Sequence, residues 1–182
     1  MELVNFETPI DGDFAPALSK IKSAYNPKGL KIDSRIVEAV NIMCDAAKKD
    51  GVNLTAISAY RTNSKQSSLY NNKVDRLLAE GYDKEEALVA AATAVAKPGT
   101  SEHQLGLAVD FNSVEEDFEH TKAGKWLKAH SVEYGFVMRY PSDKKAITGV
   151  IYEPWHFRFV GRKDAAKMKE LNMCLEEYLR YL

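Results

Sequence analysis

The sequence contains few cysteines and no long apolar run. Cys44 and Cys174 are the only cysteines among 182 residues, and both lie within helical patterns far apart in the chain. A disulfide framework is therefore not the basis of this fold, although one bridge between them stays open. Because no uninterrupted apolar stretch approaches the roughly 18 residues typical of a membrane span, we expect no span in this chain.

The sequence also lacks an excess of charge of either sign. Its formal net charge is −1, and lysine and arginine form no long run. Proteins that bind nucleic acid neutralise several phosphates with basic side chains. We therefore expect no nucleic-acid partner. Internal repeats and low-complexity segments are absent as well.

The first five residues lack the basic and apolar regions of a signal peptide. The location of the protein consequently depends on what precedes this stretch in the natural chain. We expect the cell envelope if an export signal or anchor was trimmed, and the cytoplasm otherwise. The oligomeric state leaves no mark on the sequence.

What the sequence does contain is enough apolar material for one core, since 45% of its residues are hydrophobic. We expect a single domain over residues 1–182, in which residues 1–33 form an irregular arm punctuated by proline and glycine. Helices are predicted first and short strands later, without regular alternation. This order favours an α+β fold with a small, mainly antiparallel sheet flanked by helices.

The pattern gives approximate bounds for these elements. Helices are predicted from Asp33 or Ser34 to Gly51, from Asn63 to Gly81, from Asp83 to about Lys97, over 121–134, and from Asp164 nearly to the C-terminus. Strands are predicted over 52–59, 105–111, 136–140, 147–152 and 155–160.

The stretch SEHQLGLAVDF, residues 101–111, places two polar groups in an apolar segment. If Leu105–Phe111 is a strand, Asp110 lies on the face that carries the small residues. A carboxylate buried there needs a cation or several donors. His103, just upstream, is a possible second ligand for such a cation.

A second stretch, YEPWHFRF at 152–159, supplies another imidazole. Alternation places His156 and Arg158 on the face opposite Trp155, and it would send Glu153 away from His156. Because Pro154 interrupts the strand, we expect it to turn the Glu153 carboxylate back towards the site. Trp155 is interpreted as a core residue that braces His156.

Two imidazoles and one carboxylate match a catalytic zinc, which has three protein ligands and an open position for water. A neighbouring glutamate would serve as general base. Taken singly, each residue has a structural interpretation: Asp110 as a turn cap and Glu153 as a partner of Arg158. His120 and His130 are interpreted as structural. The combination on two apolar segments favours a metal site on the sheet.

These residues resemble a known family. The pattern Ser101-x-His103 with Gly106, Ala108 and Asp110, followed by Glu153-x-Trp155-His156-x-Arg158, is similar to the D-alanyl-D-alanine metallocarboxypeptidases of the VanY type and their L,D-carboxypeptidase relatives. The resemblance extends to Ser58-Ala59-Tyr60-Arg61, Gln66 and Arg139-Tyr140-Pro141, and covers roughly residues 50–182. Ala59 departs from the glycine common in the family.

The resemblance implies a role for each matching position. His103, Asp110 and His156 would bind Zn2+, and Glu153 would be the catalytic base. Arg61 would stabilise the oxyanion or hold substrate. Further substrate contacts are implied for Gln66, Ser101 and Tyr140.

The implied function is removal of the terminal D-alanine from a peptidoglycan stem peptide or its precursor by metal-activated water. A D,D-carboxypeptidase, an L,D-carboxypeptidase, a D,D-dipeptidase and an endolysin-like peptidase all fit this chemistry. Two other classes stay open: a non-haem iron oxygenase, whose facial triad also uses two histidines and an acid, and a wall-binding module without activity.

Overall fold

The computed structural model describes residues 1–182 and contains six strands and seven α-helices. The strands are β1 (Leu18–Lys20), β2 (Lys31–Asp33), β3 (Ala56–Ser58), β4 (Ala108–Phe111), β5 (Phe136–Met138) and β6 (His156–Phe159). The helices are α1 (Val37–Lys49), α2 (Asn63–Ala79), α3 (Lys84–Ala94), α4 (Lys122–His130), α5 (Lys145–Thr148), α6 (Arg162–Leu171) and α7 (Leu175–Tyr181).

A four-stranded sheet forms the centre of the fold, with the strand order β3-β4-β6-β5. Every neighbouring pair in it is antiparallel. One face carries Phe111 and Phe157, which are fully buried in the main core together with Val40 and Met43 of α1. The α+β fold with a small antiparallel sheet is therefore confirmed.

Residues 18–33 correct the prediction of an irregular N-terminal arm. Strands β1 and β2 pair as a second antiparallel sheet, and Ile21, Tyr25 and Ile32 are buried in the main core. These elements were missed because each spans only three residues, which is too short to show a period between the flanking prolines and glycines. The segment before β1 has no helix or strand, as expected.

Two other predictions for the C-terminal half were wrong. The segment 147–152 is not a strand, because α5 occupies its start. The last helix is two helices, since Asn172 adopts a left-handed conformation with φ 52° that ends α6. Asparagine tolerates this conformation better than most residues. A capping box formed by Cys174 and Glu177 then starts α7.

The remaining predicted strands are present but shorter, and the helix predicted over 121–134 ends at His130 before a 3-10 turn. Both cysteines are buried free thiols. None of the helices has the length and apolar character required to cross a membrane.

Candidate active site

The central sheet places two of the predicted ligands side by side. Asp110 of β4 and His156 of β6 are direct cross-strand partners, and Ser58 of β3 pairs with Asp110 on its other side. Directly opposed side chains on one face lie about 5 Å apart at Cβ. Asp110 and His156 are both nearly inaccessible to solvent.

His103 reaches the same point from outside the sheet. It lies in a 3-10 turn, Glu102–Leu105, which precedes β4 in the chain. The turn ends at Gly106, whose φ of 70° is left-handed, and a Cβ there would lie 2.8 Å from the Asp33 backbone nitrogen. Glycine is therefore required at this position for the chain to enter β4.

A hydrogen bond from the Nδ1 atom of His103 fixes the orientation of its ring. Its Nδ1 lies 2.7 Å from the Ala59 carbonyl oxygen, and since a carbonyl only accepts, Nδ1 carries the proton. The lone pair is consequently on Nε2. The backbone nitrogen of Arg61 donates to the His103 carbonyl oxygen at 3.1 Å and fixes the turn further.

Three potential ligand atoms converge here. One atom each from His103, Asp110 and His156 lies within 4.8 Å of the other two. His103 Nε2 is 3.2 Å from Asp110 Oδ2, and His156 Nδ1 is 3.0 Å from Asp110 Oδ1. His103 Nε2 and Asp110 Oδ1 are nevertheless buried without a hydrogen-bond partner. Buried polar atoms without partners are rare, so the set fits a metal ion with nitrogen and oxygen ligands.

The charges of the site favour a cation. Burial and the nearby Arg61 guanidinium lower the pKa of His103 to about 4, which leaves it neutral and able to bind metal. Burial would raise the pKa of Asp110, but the two histidines outweigh that effect and hold it well below its usual range. Burial opposes a charge on His156, but Asp110 and Glu102 raise its pKa to about 9.

Glu153 lies beside this cluster, as expected if Pro154 turns the chain back towards the site. Its backbone carbonyl accepts a hydrogen bond from the His156 backbone nitrogen at 3.1 Å, which closes a turn through Pro154. The carboxylate oxygen Oε2 lies 3.6 Å from His156 Nδ1. Burial, only partly offset by His156, raises the pKa of Glu153 to about 7, which suits a group that accepts and returns a proton.

Arg61 borders the site from the loop after β3. Its Nη2 lies 3.4 Å from Asp110 Oδ2, and its Nη1 donates to Gln66 Oε1 at 2.8 Å. The amide nitrogen of Gln66 donates to the Ala96 carbonyl oxygen at 2.7 Å. Gln66 therefore holds the Arg61 guanidinium, whatever further contact it makes with substrate.

The other predicted residues take different positions around the cluster. The Tyr140 ring lies 5.0 Å from the His156 ring, centroid to centroid, with the Arg139 guanidinium stacked on it. Ser101 is buried and precedes the turn that carries His103. Trp155 packs in the main core, as expected. His130 lies at the surface, where its ring contacts Glu133.

One group beside the cluster was missed by the sequence reasoning. The Glu102 carboxylate is fully buried, and its Oε2 lies 3.7 Å from His156 Nε2. Its Oε1 accepts from Arg139 Nε at 2.7 Å and from Arg158 Nη1 at 2.8 Å. Arg158 therefore pairs with Glu102 and not with Glu153. The sequence signal for this group was weak: two arginines, Arg139 and Arg158, in predicted strands, with no indication of their common partner.

Comparison with known proteins identifies the family. The family profile described as VanY, D-alanyl-D-alanine carboxypeptidase, matches residues 29–162. The chain belongs to the VanY family. A D-alanyl-D-alanine carboxypeptidase of Enterococcus faecalis (strain ATCC 700802 / V583) is 43% identical over 177 residues, which are 97% of this chain and 64% of that protein. The chain thus spans less than two thirds of the length of this relative.

Two solved VanY structures share the fold over almost the whole chain. One is a mutant of the vancomycin resistance D,D-pentapeptidase VanY in complex with Zn(II), with 44% identity and a TM-score of 0.87 over 98% of this chain and 97% of that one. The other is VanYB in complex with D-alanine-D-alanine, with 43% identity and a TM-score of 0.88 over 98% and 96%.

Proposed function

We propose that this chain is a zinc-dependent carboxypeptidase that removes the terminal D-alanine from peptidoglycan stem peptides or their precursors. The observation that carries the proposal is the convergence of three potential ligand atoms within 4.8 Å, with the Glu153 carboxylate beside them. Membership of the VanY family supports the choice of zinc and of a D-Ala-D-Ala end.

His103 Nε2, the Asp110 carboxylate and His156 Nδ1 would hold the zinc. When bound there, zinc would supply Lewis acidity, lowering the pKa of a water and polarising the scissile carbonyl. The strand pairing of Asp110 with His156 fixes two of these ligands before any ion arrives. Such preorganisation favours binding because little order has to be imposed afterwards.

Glu153 would move the proton. Its carboxylate takes a proton from the attacking water as the new C–O bond forms at the carbonyl carbon. It then delivers that proton to the leaving amine as the C–N bond breaks, giving free D-alanine and a peptide shortened by one residue. The buried position of Glu153 keeps its basicity suited to both transfers.

Arg61 would stabilise negative charge at the carbonyl oxygen or hold the terminal carboxylate of the substrate. Its planar fork of donors suits either group, and its contacts with Gln66 and Ser58 fix the direction of that fork. Gln66, Ser101 and Tyr140 border the same region and are proposed to contact the terminal residue or the rest of the stem peptide.

A comparison of three candidate substrates tests this function. Stem pentapeptide, stem tetrapeptide and free D-Ala-D-Ala are each incubated with the zinc-loaded protein, and products are identified by mass spectrometry. We expect loss of one D-alanine from the pentapeptide, in line with the D,D-specific relatives. Cleavage of the tetrapeptide or the dipeptide instead would assign L,D-carboxypeptidase or dipeptidase activity.

Metal exchange separates the peptidase from other classes. Removal of the metal by a chelator should abolish hydrolysis, and added Zn2+ should restore it. Iron in the purified protein together with oxygen consumption would instead indicate an oxygenase, whereas peptide binding without products would indicate a wall-binding module. If hydrolysis is found, cell fractionation would determine whether the protein lies in the cell envelope, where it would act on stem peptides outside the membrane, or in the cytoplasm, where it would act on precursors.

A further inference from the structure

Four buried charged side chains form a linked network beside the metal-ligand cluster. Glu102, Arg139, Arg158 and Glu176 are all at most 3% exposed, and two positive charges balance two negative ones. Arg139 joins the two acids: its Nε donates to Glu102, and its Nη1 and Nη2 donate to Glu176 at 2.8 and 2.6 Å. Removing four charges from water is unfavourable unless they are well paired, so the network calls for an explanation.

One carboxylate oxygen of this network is aimed at a metal ligand. Glu102 Oε1 is occupied by the two arginines, whereas Oε2 has no hydrogen-bond partner. His156 Nε2 faces Oε2 at 3.7 Å and is also without one. Because both atoms are buried away from water, each is the hydrogen-bond partner available to the other.

The geometry points to Glu102 as a positioning residue that fixes which nitrogen of His156 binds metal. This inference rests on the proposed zinc site. A carboxylate fixed by two guanidinium groups can only accept a hydrogen bond, so it selects the His156 form that carries its proton on Nε2. The lone pair then lies on Nδ1, the atom beside Asp110 and Glu153. An acidic partner on the far nitrogen also makes the ligating nitrogen more basic.

The two arginines hold this carboxylate in place from β6, which carries Arg158, and from the residue directly after β5, Arg139. The backbone nitrogen of Arg139 donates to the His156 carbonyl oxygen, and Arg158 follows His156 by two residues on the same face of β6. Glu102 is consequently tied to the strand that carries the ligand it faces. It also precedes His103, so a single turn supplies one ligand and the partner of another.

Glu102→Gln tests the assignment with almost no change of shape. The amide oxygen would keep the two arginine donors, which leaves the NH2 group facing His156 Nε2. Two donors then oppose each other, unless His156 moves its proton to Nδ1 and loses the lone pair that binds metal. We expect the affinity for Zn2+, measured by competition with a chromogenic chelator, to fall about 10- to 100-fold.

Glu176→Gln is the matched control. It also replaces a buried carboxylate that accepts two guanidinium hydrogen bonds in the same network, but Glu176 does not face a metal ligand. Both variants should lower thermal stability, and only Glu102→Gln should weaken zinc binding strongly. Equal zinc affinities for the two variants would overturn the assignment, even if the wild-type protein hydrolyses its substrate normally.

An NMR measurement on the wild type covers the case in which Glu102→Gln does not fold. A long-range proton–nitrogen correlation of the zinc-loaded protein reports which imidazole nitrogen carries the proton. A protonated Nε2 on His156 supports the role of Glu102, and a protonated Nδ1 overturns it. A wild-type chain that binds no zinc would contradict the proposed function as well.

Discussion

A single proline decides where the proposed base lies. Regular alternation along β6 would turn Glu153 away from His156, but the turn through Pro154 brings the two side chains to 3.6 Å. Glu153→Gln should therefore keep zinc binding close to wild type, because Glu153 is not one of the three ligands, while turnover falls by about 10²- to 10⁴-fold. Chelator competition and the product assay measure the two effects separately, and near-normal hydrolysis would show that another group is the base.

Gly106 is a second single residue on which the site depends. Gly106→Ala should lower the free energy of unfolding by about 1–3 kcal/mol, since an alanine would be strained at φ 70° and its Cβ would meet the Asp33 backbone. Gly29→Ala separates these two causes, because Gly29 has a similar φ of 65° and open space around it. Urea denaturation should show the larger loss for Gly106→Ala. Equal losses would mean that the contact with Asp33 is relieved without cost.

At the scale of elements, periodicity and caps predicted the long helices well. The apolar spacing of α1 repeats over several turns, and the capping box of Asp83 and Glu86 marks the start of α3. Strands of three or four residues contain too few alternations to define their ends, and the left-handed break at Asn172 has no periodic signature.

The convergence of three potential metal ligands was predictable from the sequence, but the surroundings of these ligands were predictable only in part. His103, Asp110 and His156 converge as expected, and His103 lies on a 3-10 turn. Glu102 was missed because its partners lie on β6 (Arg158) and directly after β5 (Arg139), and the sequence does not reveal that these two strands pair.

The segment before β1 is packed as part of the fold although it has no regular structure. Val4 is fully buried, and the Glu2 carbonyl oxygen accepts a hydrogen bond from Arg158. Further along, Gln104 donates its amide to the carbonyl oxygens of Asp11 and Gly12. The segment thus supports both the charged network and the turn that carries His103.

Val4→Ala should reveal this support. Loss of two buried methyl groups should lower the free energy of unfolding by about 1–3 kcal/mol. Phe6→Ala removes a larger side chain from the same segment, but Phe6 is 62% exposed and its loss should change stability by less than about 0.5 kcal/mol. Urea midpoints compare the two variants, and a greater effect of Phe6→Ala would show that the segment is not anchored at Val4.

For the whole molecule, the buried network implies sensitivity to acid. Burial would raise the pKa of Glu176, but the Arg139 guanidinium outweighs this effect and lowers it below its usual value. A carboxyl group of this kind stabilises the fold above its unfolded pKa of about 4.3. That contribution is lost as the pH falls through the lower folded value.

Glu176→Gln should therefore be less stable than wild type at pH 7, with a difference that shrinks as the pH falls below about 4. Thermal unfolding of both proteins in their metal-free forms across this range measures the difference directly. A gap that stays constant or widens on acidification would contradict an ionised Glu176 in the folded protein.

The direct pairing of Asp110 with His156 links assembly of the fold to the ability to take up an ion. If β6 slipped by one residue against β4, every side chain of the slipped strand would turn to the other face, and His156 would point into the apolar core. A chain refolded from denaturant would then regain its three ligands in one alignment alone. The amount of divalent metal bound by a refolded preparation would thus measure the fraction of molecules in which β4 and β6 pair in the native register.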